Sequence, residues 1–382
     1  MRRNLLVLSG LLIVSLAFFV PVHPVSAQTQ DQEVSYIERA KVLQVLTQTI
    51  QDVPGTQTSE TVQTLQAQIL EGPDKGKTVA VNNDYLNLKP GDEFYANHTV
   101  GGQDAVDDTW NVQEPYRIPI LEILGVLFVL TIVVFGGKQG VRGLVSLIVS
   151  LAAIFYILLP GILAGYSPVL LSIGISSFII IIGSYITHGF NRTTTAAVLG
   201  MIATICVTGA LAYWSVHAAM LSGYSSDEVT YLHFTTNGTI DFVGLLLGGI
   251  MIGLLGILYD AAIGQAIAVE ELKRAAAHYS HWELYRRALR IGREHIGALI
   301  NTLAIAYVGV SLPLLLLLHF TNMSIEATIN QEIFATEIIR TMVGSIGLIL
   351  AVPLTTLISV WMLRKGKPSD AKSEGHGHSH SH

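Results

Sequence analysis

Charged residues are scarce in this sequence. Asp, Glu, Lys and Arg make up only 13% of its 382 residues, whereas about a quarter of the residues in ordinary soluble domains are charged. Hydrophobic residues account for 51% of the chain and occur in long uninterrupted blocks. This composition excludes an ordinary soluble globular protein and indicates that lipid surrounds much of the chain.

Cysteine is almost absent, and familiar catalytic motifs are missing. Cys206 is the single cysteine, so the chain can form neither an intrachain disulfide nor a Cys-based metal site. The sequence contains no HExxH zinc motif, no GxSxG nucleophile elbow and no Walker phosphate loop. No basic patch with interleaved aromatic residues indicates nucleic-acid binding. We therefore expect no enzyme activity, no required cofactor and no nucleic-acid partner.

The N-terminus has the pattern of an export leader. Arg2 and Arg3 precede a sixteen-residue apolar run, and small residues at Val25 and Ala27 follow it as in a cleavage site. Sixteen helical residues span about 24 Å, less than the roughly 30 Å hydrocarbon core of a bilayer. This length favours a signal peptide over residues 1–27, and a retained first membrane anchor is the alternative.

The polar segment that follows, residues 28–115, has the patterns of short β-strands. Residues 64–69 alternate between polar and apolar side chains, as in a half-buried strand. Glycine and proline at 72–76 form a turn signal, and residues 78–81 resume a β-favouring run. We predict a small extracytoplasmic β-rich domain with a hairpin at this place, folded as a barrel of OB or SH3-like type.

The membrane region, residues 116–363, contains seven hydrophobic blocks separated by loops of unequal charge. Lys and Arg are concentrated in alternate loops, and the loops between them contain neither. The positive-inside rule then places the β-rich domain outside and the C-terminus in the cytoplasm. The predicted fold is an all-α polytopic membrane bundle of about seven transmembrane helices with the small β-barrel-like domain at its N-terminus. The spans lie near 119–137, 143–165, 167–187, 194–216, 242–262, 296–319 and 340–363.

Four polar residues on the fifth and sixth spans are candidates for a transport path. They are Asp260, Gln265, Glu294 and Asn301. An ionisable group is expensive in hydrocarbon, and Glu294 and Asn301 are seven residues apart, on one helical face. Structural roles are the alternatives: an interfacial position for Asp260, a helix-dipole contact for Glu294 and an interhelical hydrogen bond for Asn301.

Arg192 and Thr193 begin the fourth span from the cytoplasmic side. A guanidinium, a hydroxyl and the free backbone N–H groups of a helix N-terminus can together hold an anion, so these two residues are candidates for an anion site or cytoplasmic gate. Ordinary helix capping by the threonines of this segment is the alternative.

The C-terminal tail, residues 364–382, is rich in histidine. Neutral imidazoles on a flexible segment can bind Zn²⁺ or Ni²⁺ together, which makes the tail a candidate metal site. The histidines are His376, His378, His380 and His382.

Several blocks of the membrane region resemble the YibE/F-like family of bacterial multi-span proteins. They are GFNRTTTAAVLG (189–200), GILYD (256–260), IGREHIG (291–297), NTLAIAY (301–307), SLP (311–313), EIIRT (337–341), GSIG (344–347) and PLT (353–355). The chain departs from the family at Gly264, where serine is usual, and at Glu294 and Ala298, where aspartate and threonine are usual. The resemblance implies a protein of the bacterial cytoplasmic membrane with a permease-like role.

Three functional hypotheses follow. The first is a transporter or exporter whose path contains the four polar residues of the fifth and sixth spans. The second is an envelope scaffold or accessory subunit whose outer β domain binds a partner. The third is divalent-metal handling through the histidine tail. The lipid bilayer is the expected surrounding in each case, and a second copy of the chain is a further candidate partner.

Overall fold

A computed structural model describes residues 35–55, 57–84, 86–100, 108–320 and 322–363. The chain divides into two compact units between Thr131 and Ile132, the first with the β-strands and the second with most of the helices. The predicted leader (1–27) and the histidine tail (364–382) lie outside the described residues, so both stay predictions.

Five strands close into a small barrel, as the sequence predicted. They are β1 (Ser35–Asp52), β2 (Ser59–Ile69), β3 (Thr78–Asn83), β4 (Glu93–Thr99) and β5 (Thr109–Pro115). The barrel has the order β1-β2-β3-β5-β4, with β3 and β5 parallel. The predicted hairpin is confirmed, because β2 and β3 pair antiparallel. Leu65, Ala67 and Ile69 of β2 are all buried, which matches the period of two seen in the sequence.

The remaining described elements are helical. They are α1 (Ile118–Ala153), a π-helical turn (Ile154–Leu158), α2 (Leu159–Leu163), α3 (Pro168–His188), α4 (Arg192–Ala218), α5 (Asp227–Thr235), α6 (Phe242–Ala275), α7 (His281–Val310), α8 (Leu312–Phe320), α9 (Ile325–Ile329) and α10 (Glu332–Met362). Five segments are long and apolar enough to cross a membrane. They are α3, α4, α6, α10 and the segment Ile118–Leu163, which comprises α1, the π-helical turn and α2. The pair α7 and α8, bent by 64°, gives a sixth. The predicted number of seven is not confirmed.

The first of these segments is broken at Gly137. This residue has φ 51° and ψ −136°, a conformation outside the helical region that glycine adopts far more easily than other residues. An ideal Cβ on Gly140 would lie 2.5 Å from the carbonyl oxygen of Ile132, whereas residues eight apart in a straight helix are separated by about 12 Å. The chain therefore bends back sharply at the place where the sequence predicted the first loop.

Three helices extend well beyond the predicted spans. α6 continues past 262 to Ala275, α7 begins at His281 and α10 begins at Glu332. Hydropathy locates the apolar part of a helix and not its ends. The added turns mix charged residues with apolar ones, several of which are buried, such as Val269 of α6 and Phe334 of α10. Ser280 also provides a side-chain cap for α7.

α6 lies at the centre of the bundle, as its glycines predicted. It packs against α3, α4, α7 and α10. Gly248 allows α3 to come close, since an ideal Cβ there would lie 2.3 Å from Oγ of Ser172. The largest buried cluster includes Met201 of α4, Ala262 of α6 and Ala351 of α10. This core fixes the rotation of α6 and hence the direction in which its polar residues face.

Candidate functional site

A cavity of about 520 Å³ lies between α3, α6 and the second half of α1, and we call it the Asp260 cavity. Its walls are mostly aliphatic, and its polar side chains all carry hydroxyl groups except for the carboxylate of Asp260. The aliphatic lining residues are Leu147, Leu151, Ile154, Ile179, Ile180, Ile252 and Leu255. The polar ones are Ser146, Ser150, Thr187, Tyr259 and Asp260, and glycines at 143, 183 and 256 complete the lining.

Asp260 lies inside α6 and not at its end. The helix continues for four further turns to Ala275, so the carboxylate stays on the helix surface that borders the cavity. Asp260 is the one charged residue of the lining. Among the residues that the structure describes, its carboxylate has no hydrogen-bond or ion-pair partner. An unpaired carboxylate within an apolar helix is costly, which marks it as a functional candidate.

Two hydroxyl groups of the cavity donate to backbone carbonyls. Ser150 donates to the carbonyl of Ser146 at 2.8 Å, and Tyr259 donates to the carbonyl of Gly183 at 3.2 Å. Gly183 is needed for the close approach of α1, because an ideal Cβ there would lie 2.8 Å from Oγ of Ser146. These bonds stabilise the polar end of the cavity and leave Asp260 available to a ligand.

A second cavity of about 220 Å³ lies further along α6, between this helix, the start of α4 and the end of α3, and we call it the Glu270 cavity. Its lining consists of His188, Asn191, Thr193, Thr194, Ile263, Ile267 and Glu270. The lining residues Ile263, Ile267 and Glu270 of α6 are rotated from Asp260 by about 60°, 20° and 80°, all in the same direction. Ten residues of helix separate Asp260 from Glu270 by about 15 Å. The two cavities therefore lie in succession along α6, the first beside α3 and the second beside the start of α4.

Glu270 is engaged on both carboxylate oxygens. Arg274 donates to one oxygen at 2.7 Å, and the buried hydroxyl of Thr193 donates to the other. The side chain of Asn191 accepts a hydrogen bond from the backbone N–H of Thr194 at 2.7 Å and so caps α4. An anion beside Thr193 would meet the carboxylate of Glu270. The geometry thus favours a cation over the anion predicted for Arg192 and Thr193.

The other three residues of the predicted transport path lie elsewhere. Gln265 is five residues after Asp260, hence rotated by about 140° around α6. It is 4% exposed, and its amide donates to the carbonyl of Ala288 at 3.0 Å and to Oγ1 of Thr356 at 2.7 Å. Glu294 and Asn301 are exposed, as Asp260 is, but they lie on α7 and neither lines the cavities described above. Of the four predicted residues, only Asp260 lies in a cavity of this boundary.

Sequence reasoning missed the partners that α3 and α1 supply. Ser146 and Ser150 are four residues apart in an otherwise apolar stretch, which is a detectable polar pair on one helical face. Glu270 is a second carboxylate on the same helix, ten residues after Asp260 and rotated from it by about 80°, so its spacing alone did not place the two together. No sequence pattern indicates that these faces meet.

The barrel contains a separate group of charged side chains around His98. Nδ1 of His98 is 3.1 Å from Oδ2 of Asp74, Nε2 is 3.4 Å from Oδ2 of Asp108, and the ring stacks on Trp110 with centroids 3.9 Å apart. A hydrogen bond from Lys77 holds the pKa of Asp74 below its usual value. Within the described ranges no three His, Cys, Asp or Glu side chains form a group suited to a metal ion.

The long apolar helices and the small barrel define a membrane protein with a helical bundle and a β-barrel domain. The family described as YibE/F-like protein matches residues 124–365, and the YibE/F family N-terminal domain matches residues 33–99. The chain belongs to the YibE/F-like family, which confirms the resemblance seen in the sequence. Comparison with curated proteins and with solved structures finds no match.

Proposed function

We propose that the protein is a permease of the bacterial cytoplasmic membrane that moves a cation along α6, from the Asp260 cavity to the Glu270 cavity. The observation that supports this most is the unpaired carboxylate of Asp260 in a cavity of about 520 Å³. Ionisable groups inside membrane segments typically mark substrate or ion pathways. Cavities of this size are typical of small-molecule sites.

The two cavities suggest the order of the steps. A cation that leaves Asp260 next passes the boundary formed by Tyr259 and His188, whose ring centroids are 6.0 Å apart. It then reaches Glu270, where it competes with Arg274 for the carboxylate. Arg274 therefore acts as an internal counterion that occupies the second site whenever the cargo is absent.

Seven spans with the barrel outside and the C-terminus in the cytoplasm form part of this proposal. A straight helix over 118–163 would measure about 69 Å, more than twice the hydrocarbon core. The bend at Gly137 supports its division into two spans. The bent pair α7 and α8 then counts as one, and α3, α4, α6 and α10 complete the seven. The absence of Lys and Arg from alternate loops supports the orientation.

Cysteine accessibility tests this topology. In a chain with Cys206 replaced by serine, single cysteines at Ser225 and Asn330 should react with an impermeant thiol reagent in intact cells. A cysteine at Ser280 should react only after the membrane is permeabilised. Labelling of position 280 from outside would contradict the seven-span arrangement.

Flux measurements on the purified protein in liposomes test the transport function. Cation-dependent flux should disappear in Asp260→Asn, which keeps the side-chain shape and removes the charge. Glu294→Gln is the matched control, because it removes a carboxylate exposed on α7 outside both cavities. Normal flux in a correctly inserted Asp260→Asn protein would contradict the proposal, and so would an equal loss in both variants.

An envelope scaffold is the alternative, and exposed apolar side chains on β1 favour it. Leu43, Leu46 and Ile50 are all exposed on this strand of the outer barrel, and such side chains can supply a docking surface for a protein partner. Replacing the three by Asp should then remove a co-purifying envelope protein and leave flux unchanged. Metal handling by the histidine tail stays a third prediction, and calorimetry of a 371–382 peptide with Zn²⁺ or Ni²⁺ tests it.

A further inference from the structure

The walls and the charge of the Asp260 cavity restrict what can bind there. Seven leucine and isoleucine residues line it together with one carboxylate: two come from α1, one from the π-helical turn, two from α3 and two from α6. A ligand that fits must cover aliphatic surface and carry one positive charge. Burial of apolar ligand surface against such walls is favourable, at about 25 cal/mol per Å².

Divalent inorganic cations fit this chemistry poorly. Ca²⁺ takes six to eight oxygen ligands, and Mg²⁺ requires octahedral coordination by oxygen. The cavity offers one carboxylate, and its other polar side chains are neutral hydroxyls. A divalent ion would therefore remain half-neutralised beside aliphatic side chains.

We propose that the Asp260 cavity binds a monovalent organic cation, an ammonium or phosphonium whose apolar substituents contact the leucine and isoleucine walls. The positive centre pairs with the carboxylate of Asp260, which lacks a partner among the described residues. The charges of ligand and site then cancel, and no charge remains unpaired in the apolar surroundings. This inference rests on the proposed permease function and names the class of its cargo.

Two ions of the same shape and opposite charge test the inference. Tetraphenylphosphonium and tetraphenylborate are each equilibrated by dialysis with the full-length protein in a neutral maltoside detergent, with protein-free micelles subtracted. The protein should bind tetraphenylphosphonium saturably and should not bind tetraphenylborate. Asp260→Asn should weaken tetraphenylphosphonium binding at least tenfold, and Glu294→Gln should leave it within twofold of the original value.

Two glycines of α6 provide a matched pair that tests the cavity without changing its charge. An ideal Cβ on Gly249 or on Gly256 meets nothing within 4 Å, so a larger side chain fits at both positions without a clash at its Cβ. Only Gly256 lines the Asp260 cavity. Gly256→Phe should fill part of the cavity and weaken tetraphenylphosphonium binding at least tenfold, whereas Gly249→Phe should bind as the original protein does.

The outcomes separate this inference from the permease function. Binding of tetraphenylphosphonium that depends on Asp260 and Gly256, without any flux, would support the organic-cation site and contradict the permease. Flux that depends on Asp260, together with no saturable binding of tetraphenylphosphonium, would support the permease and overturn the organic-cation site. Equal binding of both ions, or unchanged binding in Asp260→Asn, would overturn the inference as well.

Discussion

The buried amide of Gln265 joins three helices, and replacing it with methionine separates a structural role from a transport role. Its Nε2 atom donates to the carbonyl of Ala288 on α7 and to the hydroxyl of Thr356 on α10. The hydroxyl of Thr356 in turn donates to the carbonyl of Val352, so it is correctly arranged to accept from Gln265. Methionine has nearly the same length and volume but cannot donate either bond.

The expected cost follows from the two bonds. Hydrogen bonds between helices in membrane proteins contribute about 0.6–2 kcal/mol each, and a volume-conserving replacement adds less than about 1.5 kcal/mol. Gln265→Met should therefore lower the free energy of unfolding by about 1–5 kcal/mol. Because Gln265 faces away from the Asp260 cavity, tetraphenylphosphonium binding and flux should stay within twofold of the original values.

A double-mutant cycle isolates the bond between α6 and α10. The free energy of unfolding is measured by reversible SDS titration in mixed micelles for Gln265→Met, Thr356→Val and the double variant. The coupling energy should be about 0.6–2 kcal/mol, the contribution of one such bond. A coupling energy near zero would refute the interaction. Loss of binding in Gln265→Met at unchanged stability would refute the structural role and return Gln265 to the transport path.

Three further predictions concern other parts of the chain. Glu332→Gln should lower the free energy of unfolding by about 1 kcal/mol, since its carboxylate accepts hydrogen bonds from the turn at Ser222–Gly223. Gly200→Ala should cost about 1–3 kcal/mol, because an ideal Cβ would lie 2.4 Å from a threonine hydroxyl of α10. Asp74→Asn should destabilise the protein at neutral pH and have no effect at strongly acidic pH. The pKa of Asp74 is lowered in the folded state by the hydrogen bond from Lys77, so its contribution exists above the unfolded pKa and is lost as the pH falls through the folded one.

Each of these predictions has a control and a contradicting outcome. Glu326→Gln changes an exposed carboxylate near α10 and should have little effect; an equal effect of both glutamate variants would show that only net charge matters. Gly264→Ala meets open space and should be neutral or slightly stabilising, so a loss equal to that of Gly200→Ala would contradict the steric explanation. A cost of Asp74→Asn that is independent of pH would contradict the ionic explanation.

The sequence by itself determined the local structure of this protein. Aliphatic blocks and the scarcity of charge predicted membrane helices, because few polar residues can be placed in hydrocarbon. Alternation at 64–69 and the turn at 72–76 predicted the β2–β3 hairpin, because side chains in a strand alternate between its two faces. Glycines in the fifth span predicted its central position, because small residues let helices approach closely. All of these signals depend on residues close together in the chain.

Tertiary structure decided which helix meets the polar face of α6. The sequence placed Asp260 and Gln265 in one path with α7, since the two are close in the chain. Packing of α6 turned Asp260 towards α3 and Gln265 towards α7 and α10. Residues five apart on a helix point in directions that differ by about 140°. Only contacts with distant segments determine which neighbouring helix each of the two residues faces. The cavity at Asp260 is therefore a property of the packed bundle, although each of its residues is visible in the sequence.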